Sequence, residues 1–186
     1  MLRDTCAADE EWGVVILRYF NPIGAHPSGL LGEDPKGIPN NLMPYITRVA
    51  TGKQPHLKVF GNDYPTRMGE ARREYLPAMH LSRAPPDQLS SGFTGAEAYN
   101  LGTGVGVTVL EMVEAFQQAS SSPVPYTIEG RRPGDVAICY ADPSKAQGDL
   151  KWRAEHSLAD MCRDVWRWTT KNPDGYSTGV KEELLR

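Results

Sequence analysis

The sequence predicts an α/β fold, the tail of a mostly parallel sheet joined to a small mixed lobe. Three features carry that expectation: a continuous β-branched run at residues 14–19, helix-length amphipathic segments alternating with strand-length ones, and glycine-bearing turns between them. Residues 14–19 have the pattern of a strand covered on both faces with a neighbour along each edge. The run ends at Tyr19-Phe20-Asn21-Pro22, read as a polar asparagine-proline turn.

Leu42, Tyr45, Ile46 and Val49 recur at helical spacing behind Asn40 and Asn41, with Gly52 as the stop, so a helix is expected over 42–51. Short strands are expected at 57–60 and 98–101. A glycine turn then leads into a helix whose stripe is Val109, Met112, Val113 and Phe116, opened by the capping box of Thr108 and Glu111. Strands at 126–128 and 136–140 flank Arg131-Arg132-Pro133-Gly134-Asp135. Pro143 opens a short helix at its first position, and Ser157 with Asp160 caps the last helix. In contrast, Pro77, Pro85, Pro86 and the cluster Ser90-Ser91-Gly92 make 67–95 an expected loop without a central strand.

The chain has 186 residues, 40% of them hydrophobic and 23% charged, enough for a domain with its own core. A net charge of -3 with interspersed signs lacks the broad field that nucleic acid or anionic membrane would need, so neither is an expected partner. No run is apolar enough to span a bilayer and no secretory signal opens the sequence, which favours the cytoplasm. Cys6, Cys139 and Cys162 fit neither a disulfide framework nor a zinc site, so no metal is expected.

Several segments could carry chemistry. Asn100-Leu101-Gly102-Thr103-Gly104-Val105-Gly106 superficially invites a dinucleotide reading, but position 107 is valine and no acidic residue follows at the required distance; a tight strand-to-helix connection is expected. Arg131, Arg132 and Asp135 could be a surface ion pair, or an arginine fork with a carboxylate suited to a phosphate and a sugar diol. Asn40, Asn41 and Leu42 at a helix start could be a cap, or present free amides to a diphosphate. Asn21 stands where a strand end would open a ligand crevice, and the two asparagine turns are expected to face one shared cleft.

Together, Asn21-Pro22-Ile23-Gly24, Asn40-Asn41-Leu42-Met43-Pro44, Phe60-Gly61-Asn62-Asp63-Tyr64 and Arg132-Pro133-Gly134-Asp135 resemble the substrate-binding C-terminal half of UDP-glucose 4-epimerase, an extended short-chain dehydrogenase/reductase. The resemblance covers about residues 1–176. It implies that 1–30 is the tail of a Rossmann domain, 31–176 a UDP-sugar-binding lobe with 67–95 irregular, and 177–186 a tail. It further implies that Asn41, Leu42, Arg73 and Arg132 hold the UDP diphosphate, Asp135 the ribose, and Lys58, Val59 and Phe60 the uracil slot. Asn21 would touch the nucleotide sugar, and Tyr19 would lie near the nicotinamide of NAD. Cys139 would line the sugar pocket and leave room for an N-acetyl group, so that UDP-GalNAc and UDP-GlcNAc join UDP-galactose and UDP-glucose as substrates.

Two departures qualify the resemblance. The family's glycine-rich NAD turn and its Ser/Thr and Tyr-x-x-x-Lys catalytic residues belong upstream, and no Tyr-x-x-x-Lys occurs in this sequence. The resemblance therefore implies no catalytic residue here, most of the NAD site missing, no family homodimer interface, and an exposed, aggregation-prone strand edge at 14–19. The second departure is at 68–84. There the family's Asp-Gly-Thr-Gly and Arg-Asp-Tyr-Ile-His become Met68-Gly69-Glu70-Ala71 and Arg73-Glu74-Tyr75-Leu76-Pro77. The function expected is that of an isomerase of galactose metabolism in the full-length family, with this chain inactive; the alternatives are a non-catalytic UDP-sugar binder or another nucleotide-sugar epimerase or dehydratase.

Overall fold

A computed structural model describes residues 1–82 and 92–177; Pro85, Pro86, Ser90, Ser91 and the tail beyond Ser177 lie outside them. The expected loop at 67–95 instead contains the strand around which much of the lobe is built. Helix α1 (Leu2–Ala8) precedes β1 (Gly13–Tyr19), and β2 (Asn21–Ile23) follows immediately, so the asparagine-proline segment is a short strand rather than a turn. Next come α2 (Leu42–Ala50), β3 (Leu57–Phe60), β4 (Arg72–Pro77) and α3 (Ala78–Leu81). After the undescribed stretch the chain forms β5 (Gly95–Leu101), β6 (Gly106–Thr108), α4 (Val109–Ser120), β7 (Tyr126–Glu129), β8 (Ile138–Cys139), α5 (Ser144–Asp149) and α6 (Leu158–Lys171).

β4 pairs in parallel with β2 near Tyr75 and with β8 at Arg72 and Arg73, and antiparallel with β6 from Arg72 to Glu74. Pro77 does not interrupt this ladder because it is the last residue of the strand, where a missing amide is tolerated. Tyr75 and Leu76 are buried on opposite faces of the strand and Glu74 is fully buried, which explains why hydrophobic pattern alone missed it. The strand expected at 136–140 contracts to Ile138 and Cys139, and Pro143 occupies the N-cap of α5 rather than its first turn.

β1 pairs in parallel with β5, in register from Gly13 opposite Gly95 to Tyr19 opposite Leu101. The expectation of a strand covered on both faces is not met: Leu17 is 39% and Tyr19 61% exposed, and among the described residues β5 is its sole partner strand. Its seven residues therefore leave one edge of amides and carbonyls without a ladder.

The main core lies between α2, α4 and α6 and the strands β3 and β4, with Ile46, Met112, Phe116 and Cys162 fully shielded. α4 and α6 begin as expected. The Thr108 hydroxyl accepts from the Glu111 amide at 3.2 Å while the Glu111 carboxylate accepts from the Thr108 amide at 2.8 Å, and Ser157 with Asp160 repeats the arrangement. A second cluster of Leu76, Tyr99, Leu101, Leu150 and Trp152 backs β5. It is joined to the first through β4, whose Tyr75 faces one cluster and Leu76 the other.

Candidate functional site

Six segments meet around a cavity of about 570 Å³: β2, the first turn of α2 with the residues just before it, β3, β4, the start of α4 and the turn after β7. The two asparagine segments do face this one cleft, since Asn21, Asn40 and Asn41 all line it. On β4 the two-residue strand period places Arg73 and Tyr75 together at its wall. Asn21 is oriented by its own side-chain amide, whose Nδ2 donates to the Glu74 carbonyl oxygen at 2.7 Å.

Asn41 is the N-cap residue of α2, yet its side chain does not cap the helix. It turns instead to Glu33, whose carboxyl is raised by partial desolvation against that hydrogen bond. Asn41 and Leu42 line the cavity, so α2 begins at its wall without a side-chain cap, the arrangement that suits an anion.

The two neighbouring arginines divide. Arg131 turns away: its Nε donates to Asp63 Oδ1 at 2.7 Å, its Nη2 to the Asp63 carbonyl at 2.8 Å, and it stacks on Tyr64 at 4.2 Å. Arg132 faces the cavity with its guanidinium 5.0 Å from the Phe60 ring centre, and its Nε donates to Asp135 Oδ2 at 2.9 Å. Arg73 joins the same group, with Nη2 3.6 Å from Asp135 Oδ1 and Nη1 donating to the Val136 carbonyl at 2.7 Å. Burial pushes the Tyr75 hydroxyl up to about 12, against the pull of Arg73 and Arg132, so it stays a neutral hydrogen-bonding group.

The structure thus brings Asn21, Asn41, Leu42, Lys58, Val59, Phe60, Arg73, Arg132 and Asp135 to one cavity. Of these, Val59 turns its side chain into the core. Cys139 is not among the lining residues; it lies on β8 opposite Arg73 and is exposed. Tyr19 stands apart at the exposed end of β1. Tyr45, Gln54 and Tyr75 also line the cavity and were missed. Tyr75 was legible in principle, because a strand through Arg73 puts the residue two further on at the same wall.

Behind this wall sits Glu74, 0% exposed. Its Oε1 accepts from the Thr103 amide, from the Thr103 hydroxyl at 3.0 Å and from the Gly104 amide at 3.0 Å, while Oε2 accepts from the Ala141 amide. A side chain at Gly102 would collide with the Glu74 carboxylate and with the Ala141 side chain. The glycine turn is therefore a tight connection whose amides are already engaged, and it cannot cradle a dinucleotide phosphate. Among the described residues no cluster of His, Cys, Asp or Glu is arranged to hold a metal, and no helix is long and apolar enough to cross a membrane.

Comparison with known proteins agrees with this geometry. A family model described as GDP-mannose 4,6 dehydratase matches residues 4–165. The chain belongs to that family. Within it, the chain is 54% identical over 180 residues to a UDP-glucose 4-epimerase of Bacillus subtilis (strain 168), covering 96% of this chain and 53% of the relative. A crystal structure of UDP-glucose 4-epimerase from Bifidobacterium longum with NAD+ and UDP superimposes with a TM-score of 0.87 at 48% identity, over 93% of this chain and 52% of that one. The epimerase from Stenotrophomonas maltophila, with NAD and formylated UDP-arabinopyranose, gives a TM-score of 0.87 at 43% identity, over 91% of this chain and 51% of that one.

The relatives are thus UDP-glucose 4-epimerases with Rossmann-type folds, in keeping with the resemblance carried by the motifs, and NAD belongs to the family's structures. The chain spans about half the length of the curated relatives it matches. The glycine turn is occupied by Glu74, and Tyr19 is exposed at the end of β1.

Proposed function

We propose that this chain grips the UDP end of a UDP-hexose and supplies the substrate-binding portion of an epimerase, corresponding to the C-terminal half of its relatives, without the hydride chemistry. One observation carries the reading: Arg73, Arg132, Asp135 and the uncapped start of α2 converge on a single cavity. In this reading the guanidinium groups and helix amides take the diphosphate, Asp135 accepts from the ribose hydroxyls, and Phe60 with Lys58 borders the base. Residues 1–30 go with a dinucleotide-binding part and 31–176 with the substrate lobe.

Bound NAD would take and return hydride at the sugar. The residues present here bind and orient the nucleotide, and no Tyr-x-x-x-Lys is available to move the hydroxyl proton. At about a hundred times its dissociation constant, UDP-galactose should stabilise the purified chain by about 2.7 kcal/mol and raise its melting midpoint, with no conversion to UDP-glucose when NAD is added. An unmoved midpoint, or turnover above the blank, contradicts the proposal.

In this reading the sugar end extends past the cavity toward β8, whose Cys139 is in register with Arg73. On this reading Cys139→Tyr crowds an N-acetyl group and weakens UDP-GalNAc relative to UDP-galactose by about tenfold, or about 1.4 kcal/mol. A competition titration that returns the same preference in both proteins removes Cys139 from the sugar pocket.

A further inference from the structure

We infer that Asp135 is a built-in competitor for the cavity's arginines, selecting phosphates attached to a hydroxyl-bearing group over bare phosphate anions. The inference rests on the nucleotide reading above and adds a source of selectivity to it. Asp135 accepts from Arg132 Nε at 2.9 Å and Nη2 at 3.4 Å, and its Oδ1 also lies 3.6 Å from Arg73 Nη2. Its side chain is 18% exposed and that of Arg73 23%, so this pairing is partly shielded from water. Arg73 has little alternative, because its Nη1 is held by the carbonyl oxygens of Val136 and Arg72.

An anion entering between these arginines must draw their N–H groups away from Asp135. That leaves a half-shielded carboxylate, an acceptor with no proton to donate, beside a second negative charge. Inorganic pyrophosphate has no donor with which to satisfy it. A nucleoside diphosphate brings vicinal ribose hydroxyls, which donate to the carboxylate as the arginines turn to the phosphates. Recognition then becomes an exchange of partners, and discrimination arises from a repulsive element as much as from an attractive one.

The test is a set of titrations of the intact chain and its Asp135→Asn variant with UDP and with inorganic pyrophosphate, at one ionic strength. Asp135→Asn is expected to bind pyrophosphate about tenfold more tightly than the parent while gaining nothing for UDP, so that the UDP-to-pyrophosphate ratio falls by at least that factor. Pyrophosphate affinity unchanged or weakened in the variant overturns the inference. Asp135→Ser, which also removes the charge, must agree, and circular dichroism of both variants checks the fold. Failure of the parent to bind UDP defeats the nucleotide reading instead, and the pyrophosphate comparison still decides whether Asp135 competes for the arginines.

Discussion

Glu74→Gln is expected to lower the stability of the chain by about 2–4 kcal/mol, although the side chain touches neither solvent nor the cavity. The amide oxygen of glutamine can still accept from Thr103 and Gly104, but its NH2 group then meets the Ala141 amide, donor against donor. A charge-assisted hydrogen bond is worth about 1.5–3 kcal/mol, and a buried donor left unmet adds a penalty of about 1–3 kcal/mol. For a chain of this size each kcal/mol moves the midpoint by about 2–4 °C, so thermal unfolding should shift down by roughly 5–15 °C. A midpoint within a degree of the parent contradicts the role assigned to Glu74. Because the Glu74 carbonyl also holds Asn21, and Arg73 and Tyr75 flank it on β4, the substitution should weaken nucleotide binding as well.

Arg132→Ala should reduce UDP affinity by about 10- to 150-fold with little change in stability, the equivalent of about 1.5–3 kcal/mol for a charged hydrogen bond to phosphate. The Arg132 side chain is 59% exposed, so the fold depends little on it. Arg131→Ala serves as the contrast: its guanidinium belongs to Asp63 and Tyr64, and UDP affinity should stay within about threefold of the parent, the scatter of surface substitutions. Loss of affinity in both variants would indicate general charge attraction rather than the directed contact proposed.

How much was legible in the sequence follows from what each element advertises. α4 and α6 carry both a capping box and an apolar stripe, two independent signals, and both form where expected. β4 carries neither: Arg72, Arg73 and Glu74 are polar, and the strand is held by ladder hydrogen bonds and by donors gathered from distant turns around Glu74. Those partners are far away in sequence, so period and propensity could not reveal them. The same long-range pairing puts Arg73 on a central strand and restrains it more than an irregular segment would.

At the site, Asn21, Asn41 and Arg132 were accessible because each stands at the end of a recognisable element. Tyr45 and Gln54 were not, since their place at the wall depends on how α2 and β3 pack together, and Tyr75 was hidden only because the strand β4 that carries it was not recognised. Cys139 shows the opposite case. Its neighbourhood to Arg73 is real, through the pairing of β8 with β4, yet it is exposed and lies outside the residues that line the cavity.

The most direct test of the account is calorimetric titration of UDP into the purified chain at low ionic strength. A single saturable site per chain, lost in Arg132→Ala and kept in Arg131→Ala, is the predicted result. A flat titration with the intact, folded chain would contradict it.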